Sequence, residues 1–322
     1  MGIPHIQLPP SGMAGEYRIV ARKADSGEER VLADWFSNLI TDIGLNNIVN
    51  NGWKAWCHVG TGTNAPAEAD ASLQTPVAST AAISNSVTSN AGAPSYYSQA
   101  SIDYTFPVGA GTYTEVGVSN KAHTDGTQLM FSRARIVDGS GNPTSITVLA
   151  DEFLVVTYRI RIYPPLTDVS GTISIGSDVY NYTIRAANIT NFGRWGNFLQ
   201  NAGWGFSFNS SGNYLQLALY SGALAAVTTL PSGVLGSSPS GKFTNVAYID
   251  GSYQVLGEVI AVFESYNSAG FIRSISWVKQ TPSGTPYRCG EYQLQFFPDV
   301  PKNVNIQLTF TLGMGWGRYV AP

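Results

Sequence analysis

The sequence is poor in charged residues, and this shortage limits what the protein can bind. Only 12% of its 322 residues are Asp, Glu, Lys or Arg, and the formal net charge is −3. The basic residues that come closest together, Arg133 with Arg135 and Arg159 with Arg161, alternate along predicted strands. Because nucleic-acid binding depends on a concentrated basic surface, we expect no nucleic-acid partner. A weakly charged surface is instead common where much of it is buried against neighbouring subunits.

Cysteine and histidine are also scarce, with two and three residues respectively. Cys57 and Cys289 lie far apart, with no C-x-x-C spacing and no histidine pair beside either residue. A zinc site needs such a group of ligands, so we predict no metal site and two free, buried thiols.

Long apolar segments are absent as well. The sequence has no run of about 18 apolar residues and no charged-then-apolar pattern at its start. We therefore expect neither membrane insertion nor Sec export.

Residues 59–73, VGTGTNAPAEADASL, match the G-x-G-x-x-A spacing of a dinucleotide-binding loop through Gly60, Gly62 and Ala65. That loop requires a helix immediately after the glycines and an acidic residue about 20 positions further on. Here Pro66 follows, and no strand ending in an acidic residue comes next. The stretch is better explained as a turn leaving a strand, and we predict no cofactor.

Catalytic groups are equally hard to find. A glycosidase needs two carboxylates close together, and the candidates are Asp103, Glu115, Asp151, Glu152, Glu258, Glu264 and Glu291. Asp103 and Glu115 are expected on adjacent strands, although solvated carboxylates on strands and turns explain all seven. There is no G-x-S-x-G motif, and we find no plausible Cys/His arrangement. We therefore predict no catalytic residues and a protein that is not an enzyme.

What the sequence does contain is a strong β pattern. Its 17 Tyr, 14 Phe and 7 Trp favour strands over helices. Apolar residues alternate strictly along 152–163, and again along 304–312. A period of two over that length is typical of a strand with one face on a core, so the fold class is predicted to be all-β.

The order of these elements is repeated along the chain. A hairpin at 15–35 leads to a Trp and a short amphipathic segment at 35–45, and a hairpin at 171–186 leads to a similar segment at 195–205. A Gly ends each segment, as it would end a helix. The repeat predicts two tandem, duplicated β-sandwich-like domains, each with one short helix.

Proline marks the predicted boundaries. Residues 1–14 are interpreted as an extended N-terminal arm that docks onto a neighbour, 15–165 as the first domain and 166–322 as the second, with Pro164-Pro165 between them. Residues 66–100 are rich in Ala, Ser and Asn and predict an extended arm or surface loop.

Aromatic residues are the remaining candidates for a binding site. Tyr96, Tyr97, Tyr220, Tyr266 and Tyr319 belong to this group, but those we favour as ligand or interface residues are Tyr248, Tyr253, Trp277 and Trp316. Their rings could stack on sugars, whereas aromatic residues on strands more often pack across strands or fill interfaces.

Several stretches together resemble one protein family. They are GEYRIVARKADSGEERVLADWFSNLITDIGLNNI, VGTGTNAPAEADASLQTPV, YTFPVGAGTYTEVGVSN, LMFSRARI and ITVLADEFLVVTYRIRIYPPLTDVSGTISI. Their order is similar to the opening of many tail-fibre and tail-tip proteins of tailed bacteriophages. The second half departs from this pattern, most clearly at 222–250.

The resemblance implies a non-enzymatic structural protein of the virion, located in the tail and assembled in the host cytoplasm. It implies other tail proteins as partners and homo-oligomerisation, and no catalytic residues. Two alternatives stay open: a receptor- or carbohydrate-binding tail protein that contacts the host surface, and a capsid decoration protein.

Overall fold

The structure is a computed structural model that describes residues 6, 8–49, 52–90, 92, 95–107, 110–195, 199, 214–238, 244–245, 248–261, 267–280 and 288–320. As predicted, the fold is all-β, with two short helices in the described part of the chain, α1 (Asp42–Asn47) and α2 (Phe192–Trp195). The strands are β1 (Pro10–Lys23), β2 (Glu29–Ser37), β3 (Leu39–Ile40), β4 (Trp56–Gly60), β5 (Pro76–Asn90), β6 (Tyr97–Phe106), β7 (Gly111–Tyr113), β8 (Glu115–Ser119), β9 (Met130–Arg135), β10 (Ile146–Val148), β11 (Glu152–Tyr163), β12 (Val169–Ile175), β13 (Asp178–Ala186), β14 (Tyr214–Tyr220), β15 (Val234–Ser238), β16 (Thr244–Asn245), β17 (Gln254–Ala261), β18 (Phe271–Gln280), β19 (Arg288–Pro301) and β20 (Leu308–Arg318).

A large curled sheet carries most of these strands. Its order is β16-β17-β20-β1-β11-β6-β5-β4-β8-β9-β3, and β2 pairs with β1 beside this path. β1 pairs with β11 in antiparallel register from Gly12 to Lys23. On its other edge, β1 first pairs with β20, in parallel, and then with β2, in antiparallel register.

A second sheet of six strands has the order β12-β13-β19-β18-β14-β15, and β7 and β10 form a separate pair. The six-stranded sheet packs against the large sheet through buried aromatic residues. The indole N–H of Trp277 on β18 donates to the carbonyl of Gly313 on β20 at 2.9 Å. The hydroxyls of Ser11 on β1 and Tyr292 on β19 lie 3.2 Å apart. Two sheets joined through such side chains have a sandwich-like core.

The strands predicted from a period of two are confirmed. β11 covers the whole predicted stretch, and its even-numbered residues from Leu154 to Ile162 face the core. The two predicted hairpins are also present, as the antiparallel pairs β1–β2 and β12–β13. The predicted closing strand at the end of the chain starts later than expected, at Leu308.

The first predicted helix is shifted along the chain. Residues through Ser37 continue β2 instead, because Phe36 and Ser37 pair with β1. α1 begins only at Asp42, after Thr41, whose side chain accepts a hydrogen bond from the backbone N–H of Gly44 and so caps the helix. In the second half α2 ends at Trp195, and most of the predicted segment 195–205 lies outside the described residues.

Two stretches predicted as extended arms or loops are strands. Residues 10–14 belong to β1, and the side chains of Ile6 and Leu8 just before it are buried in the chain's own core. The Ala/Ser/Asn-rich stretch forms β5 and the start of β6. The loop prediction for the Ala/Ser/Asn-rich stretch is wrong, because neighbouring strands supply the hydrogen-bonding partners that the local sequence lacks. The N-terminal arm that docks onto a neighbour stays a prediction.

The predicted domain boundary after residue 165 does not separate the sheets. β16, β17 and β20 come from the second half of the chain and lie in the large sheet beside β1. A single hydrophobic core includes residues of both halves, such as Tyr17 and Trp316. The duplication of two domains therefore stays a prediction.

Candidate functional site

A pocket of about 440 Å³ lies where the start of β1, the end of β11 and the end of β20 meet. Pockets of this size commonly hold small ligands or peptide side chains. The fourteen lining residues are mostly proline, tyrosine and aliphatic: Pro9, Pro10, Gly12, Ser95, Tyr96, Tyr163, Pro164, Pro165, Leu166, Thr167, Val169, Arg318, Tyr319 and Val320.

The pocket wall depends on the order β20-β1-β11 in the large sheet. Gly12 on β1 pairs with Tyr163 on β11 and with Gly317 on β20. The backbone N–H of Tyr319 then donates to the carbonyl of Met13 at 2.8 Å, which holds the residue beside β1.

Two tyrosine rings stack across β1. The rings of Tyr163 and Tyr319 are nearly parallel, at 14°, with centroids 3.7 Å apart. A Cβ atom at Gly12 would lie 2.8 Å from Cδ2 of Tyr319. The ring can therefore lie over β1 only because that position is a glycine.

A row of aromatic and cationic side chains continues from the pocket across the sheet. The Tyr97 ring is tilted against Tyr163, with centroids 5.7 Å apart, and the Arg161 guanidinium lies 4.7 Å from the Tyr97 ring centre. Arg161 also donates to the side-chain oxygen of Gln99 at 2.9 Å. The pocket thus has a positively charged neighbour on its β11 side.

On the opposite side the charge of Arg318 is neutralised. Its guanidinium donates to the carbonyl of Ile40 at 2.7 Å and forms ion pairs with Asp42 at 2.6 Å and Glu68 at 3.2 Å. These contacts hold the end of β20 against α1 and the loop before β5.

Three of the four aromatic residues singled out from the sequence lie together, against α1. The Tyr248 hydroxyl donates to the side chain of Asn46 at 2.8 Å, and the Tyr253 hydroxyl lies 3.4 Å from a carboxylate oxygen of Asp42. The indole N–H of Trp316 donates to the Leu45 carbonyl at 2.9 Å. These residues form an interface between the two halves of one chain.

The fourth residue, Trp277, lies elsewhere, in the core between the sheets. Its ring stacks on Tyr292 with centroids 5.5 Å apart. Both Trp277 and Trp316 are buried, so neither indole offers a face to a sugar unless the sheets separate. Burial also raises the pKa of Tyr248 to about 12.

The carboxylates considered for glycoside hydrolysis do not form the expected pair. Asp103 lies on β6 and Glu115 on β8, and these strands are separated by β5 and β4 rather than adjacent. Three strand spacings are roughly 14 Å, more than the separation of either class of catalytic pair. Asp103 instead accepts hydrogen bonds from Ser84 at 2.7 Å and Thr157 at 2.8 Å.

The buried glutamates of the described chain are bound by arginine. Glu115 pairs with Arg133 at 2.9 Å, and Glu291 pairs with Arg194 at 2.8 Å. Glu115 also accepts backbone N–H bonds from Gly62 at 3.0 Å and Thr75 at 2.8 Å. The stretch with the G-x-G-x-x-A spacing is therefore a loop that closes over a structural ion pair.

The other carboxylates and the two cysteines considered from the sequence are ion-paired, exposed, buried or outside the described residues. Glu152, also buried, pairs with Arg30 at 2.8 Å, and Asp151 is exposed. The side chains of Glu258, Glu264 and Cys289 lie outside the described residues, and Cys57 is a buried free thiol. Within the described chain no group of three or more His, Cys, Asp or Glu residues is placed to hold a metal ion.

Sequence reasoning missed the pocket itself. The sequence identifies Tyr96 and Tyr319 only as aromatic candidates for a binding site, and Pro164-Pro165 only as a domain boundary. Tyr163 was read as the last residue of a strand. The pairing of β1 with both β11 and β20 brings them together, and no local spacing predicts a pairing between residues more than 150 positions apart.

Comparison with protein-family models, with curated proteins and with solved structures found no match to this chain. No helix among the described residues is long and apolar enough to cross a membrane.

Proposed function

We propose that this protein is a non-enzymatic structural component of a bacteriophage virion, a tail-fibre or tail-associated connector that acts through protein–protein interfaces. The resemblance of the first half to tail proteins gives the location. The observation that carries the interface role is a polar and partly apolar outer face on the six-stranded sheet.

This outer face is built by β12, β13 and β19. Ser170 pairs with Thr183, and Asn181 pairs with both Thr172 and Phe297. Phe297 and Val179, two residues before Asn181 on the same side of β13, are 45% and 64% exposed. Arg185, on the same side of β13, is ion-paired with Asp168, so its charge is already compensated and another protein can cover this face at a modest desolvation cost.

The bound state of the buried glutamates supports a structural role. The Glu115 carboxylate accepts hydrogen bonds from an arginine and from backbone N–H groups. The Glu291 carboxylate accepts hydrogen bonds from an arginine and from the side chain of Asn188. Such carboxylates hold loops in place and are poorly suited to exchange protons with a substrate.

The test is incorporation into particles. We expect antibodies to this chain to label the tails of purified virions. Val179→Lys with Phe297→Lys should reduce incorporation, because two charges would then be buried at the interface. The control is Val234→Lys, which alters a 63% exposed residue on β15.

The isolated variants should remain folded, since these side chains face solvent. Normal incorporation of the Val179/Phe297 variant would contradict the interface role. Labelling of the head would instead favour the capsid decoration alternative.

The pocket is an observation that favours the receptor-binding form of the alternative. That alternative requires the isolated protein to adsorb to host cells or surface glycans. Loss of adsorption in a pocket variant, with normal incorporation into particles, would favour it over the connector role.

A further inference from the structure

The pocket between β1, β11 and β20 has a lining that identifies the chemistry of its ligand. Ten of its fourteen lining residues are proline, tyrosine, leucine or valine. The pocket is separate from the outer face of β12, β13 and β19 proposed above as an interface, so a ligand in the pocket can be tested independently of that interface.

The lining is poorly suited to two ligand classes that aromatic sites often bind. None of the fourteen residues, all of them described, is Asp, Glu, Asn or Gln, whereas sugar hydroxyls are oriented by a few placed polar side chains. A quaternary ammonium group needs rings around a cation. Here Tyr163 and Tyr319, two of the three lining tyrosines, stack on each other.

The same lining fits an extended peptide. Proline-containing segments in the polyproline II conformation bind grooves lined by aromatic residues, and their backbone carbonyls have no internal hydrogen-bond donors. Tyr96 and Tyr319 both line the pocket, and a phenol hydroxyl can donate a hydrogen bond to such a carbonyl.

The charged residues beside the pocket favour a ligand that carries an acidic residue. Arg159 and Arg161 share a single carboxylate, that of Glu16, which lies 3.7 Å from Arg161. One positive charge is thus left unbalanced in this ion-pair group, one ring away from Tyr163. An acidic residue at one end of the bound segment would complement it.

We propose that this pocket binds an extended, proline-containing segment of a partner protein, with an acidic residue of that segment beside Arg161. The prolines of the segment pack against Tyr96, Tyr319 and Leu166. The acidic residue lies beyond Tyr163, toward β6.

The experiment titrates the full-length protein with three blocked synthetic peptides: nine prolines, nine prolines ending in Glu, and nine prolines ending in Lys. Binding is measured by calorimetry or by the anisotropy of a labelled peptide. We expect the Glu peptide to bind about 2- to 5-fold more tightly than the Lys peptide, the size of one exposed ion pair. Arg161→Gln should remove that difference.

Two pocket variants test whether the peptide binds in this pocket. Leu166 is 48% exposed, so Leu166→Asp should leave the fold intact while it places a charge in the apolar wall, and binding should fall at least 10-fold. Tyr96→Phe should weaken binding by removing one hydroxyl donor. Trp35→Ala, on the same sheet beside Arg159 but not in the pocket, should bind as the unaltered protein does.

The proposal fails if no peptide binds the folded protein at millimolar concentration, or if Leu166→Asp binds normally. It also fails if a panel of glycans binds in its place and that binding is lost in Leu166→Asp. Peptide binding and incorporation into particles are separate measurements. Failure of the peptide-binding proposal can therefore be told apart from failure of the connector role.

Discussion

At the scale of single residues, the clearest feature is the buried ion pair between Glu115 and Arg133. Arg133 also contacts Asp70 at 2.6 Å and the carbonyl of Asn64 at 3.1 Å, so it joins β9 to the loop before β5. Glu115 is fully buried. A buried charge is tolerated only while its partners are present.

Removal of one member of this ion pair should therefore destabilise the protein. We expect Arg133→Met to lower the free energy of unfolding by about 3–5 kcal/mol, because Glu115 would stay buried without its cation. The measurement is urea unfolding followed by circular dichroism. The control is Arg22→Met, which removes an exposed pair with Glu29 and should cost below about 1 kcal/mol. Equal losses in the two variants would contradict the structural role of the buried pair.

His58 supplies a pH dependence. Its Nε2 lies 2.7 Å from the carbonyl of Lys121, while Nδ1 is buried with no hydrogen-bond partner in the described chain. Burial lowers the pKa of His58 to about 4, against an opposing effect of the Lys121 carbonyl and a further lowering by His123. The unfolded chain takes up this proton near pH 6.5 and the folded chain only near pH 4.

These two pKa values set the direction in which the free energy of unfolding changes with pH. The stabilisation is complete above about pH 6.5 and is lost as the pH falls toward 4, because only the unfolded state gains a proton in that range. The loss should be on the order of 3 kcal/mol. Urea unfolding across this range should show a smaller loss in His58→Leu, and parallel curves for the two proteins would contradict the prediction.

At the scale of elements, glycines on β20 allow close packing that the strand pattern alone does not reveal. A Cβ atom at Gly313 would lie 1.9 Å from the carbonyl oxygen of Val255 on β17, whereas one at Gly317 would meet nothing within 4 Å. The carbonyl of Gly313 also accepts the hydrogen bond of Trp277. The close pairing of β17 with β20, and with it the position of the carbonyl that Trp277 contacts, thus depends on the missing side chain.

The two glycines offer a matched pair of substitutions on one strand. Gly313→Ala should destabilise the protein by about 3 kcal/mol or more, because backbone must move to relieve the overlap. Gly317→Ala should change the free energy of unfolding by no more than about 0.5 kcal/mol. Thermal unfolding compares them directly, and a similar midpoint for both variants would show that β17 and β20 are not packed as described.

Strand β5 shows why local composition can mislead. Its residues are mostly Ala, Ser, Thr and Asn, without the large apolar groups that mark a core strand. It forms because its backbone pairs with β4 from Pro76 to Ala81 and with β6 from Ala82 to Asn90. Tertiary pairing therefore outweighs the low intrinsic preference of these residues.

At the scale of the whole molecule, the two halves of the chain share one sheet. β1 from the first half lies between β11 and the parallel strand β20 from the second half. Arg318 and Trp316 fasten the end of β20 to α1. The two halves thus share one sheet and one hydrophobic core.

Separation of the halves should therefore abolish folding of the first. A fragment of residues 1–165 would lack β20 and would expose part of the edge of β1 and the apolar side of α1. We expect it to be insoluble when expressed alone and to be recovered with residues 166–322 when the two are co-expressed. A soluble 1–165 fragment with a dispersed NMR spectrum would contradict this.

The sequence by itself determined the all-β class, the hairpins and the faces of strands such as β11, because a period of two records which side of each strand meets the core. It also set the low charge of the outer surface. The tertiary structure alone decided which strands became neighbours. It placed two strands between Glu115 and Asp103, joined β1 to β20, and gathered Tyr96, Tyr163 and Tyr319 into one pocket. These contacts join residues far apart in the chain, and their energy depends on the whole core rather than on any local pattern.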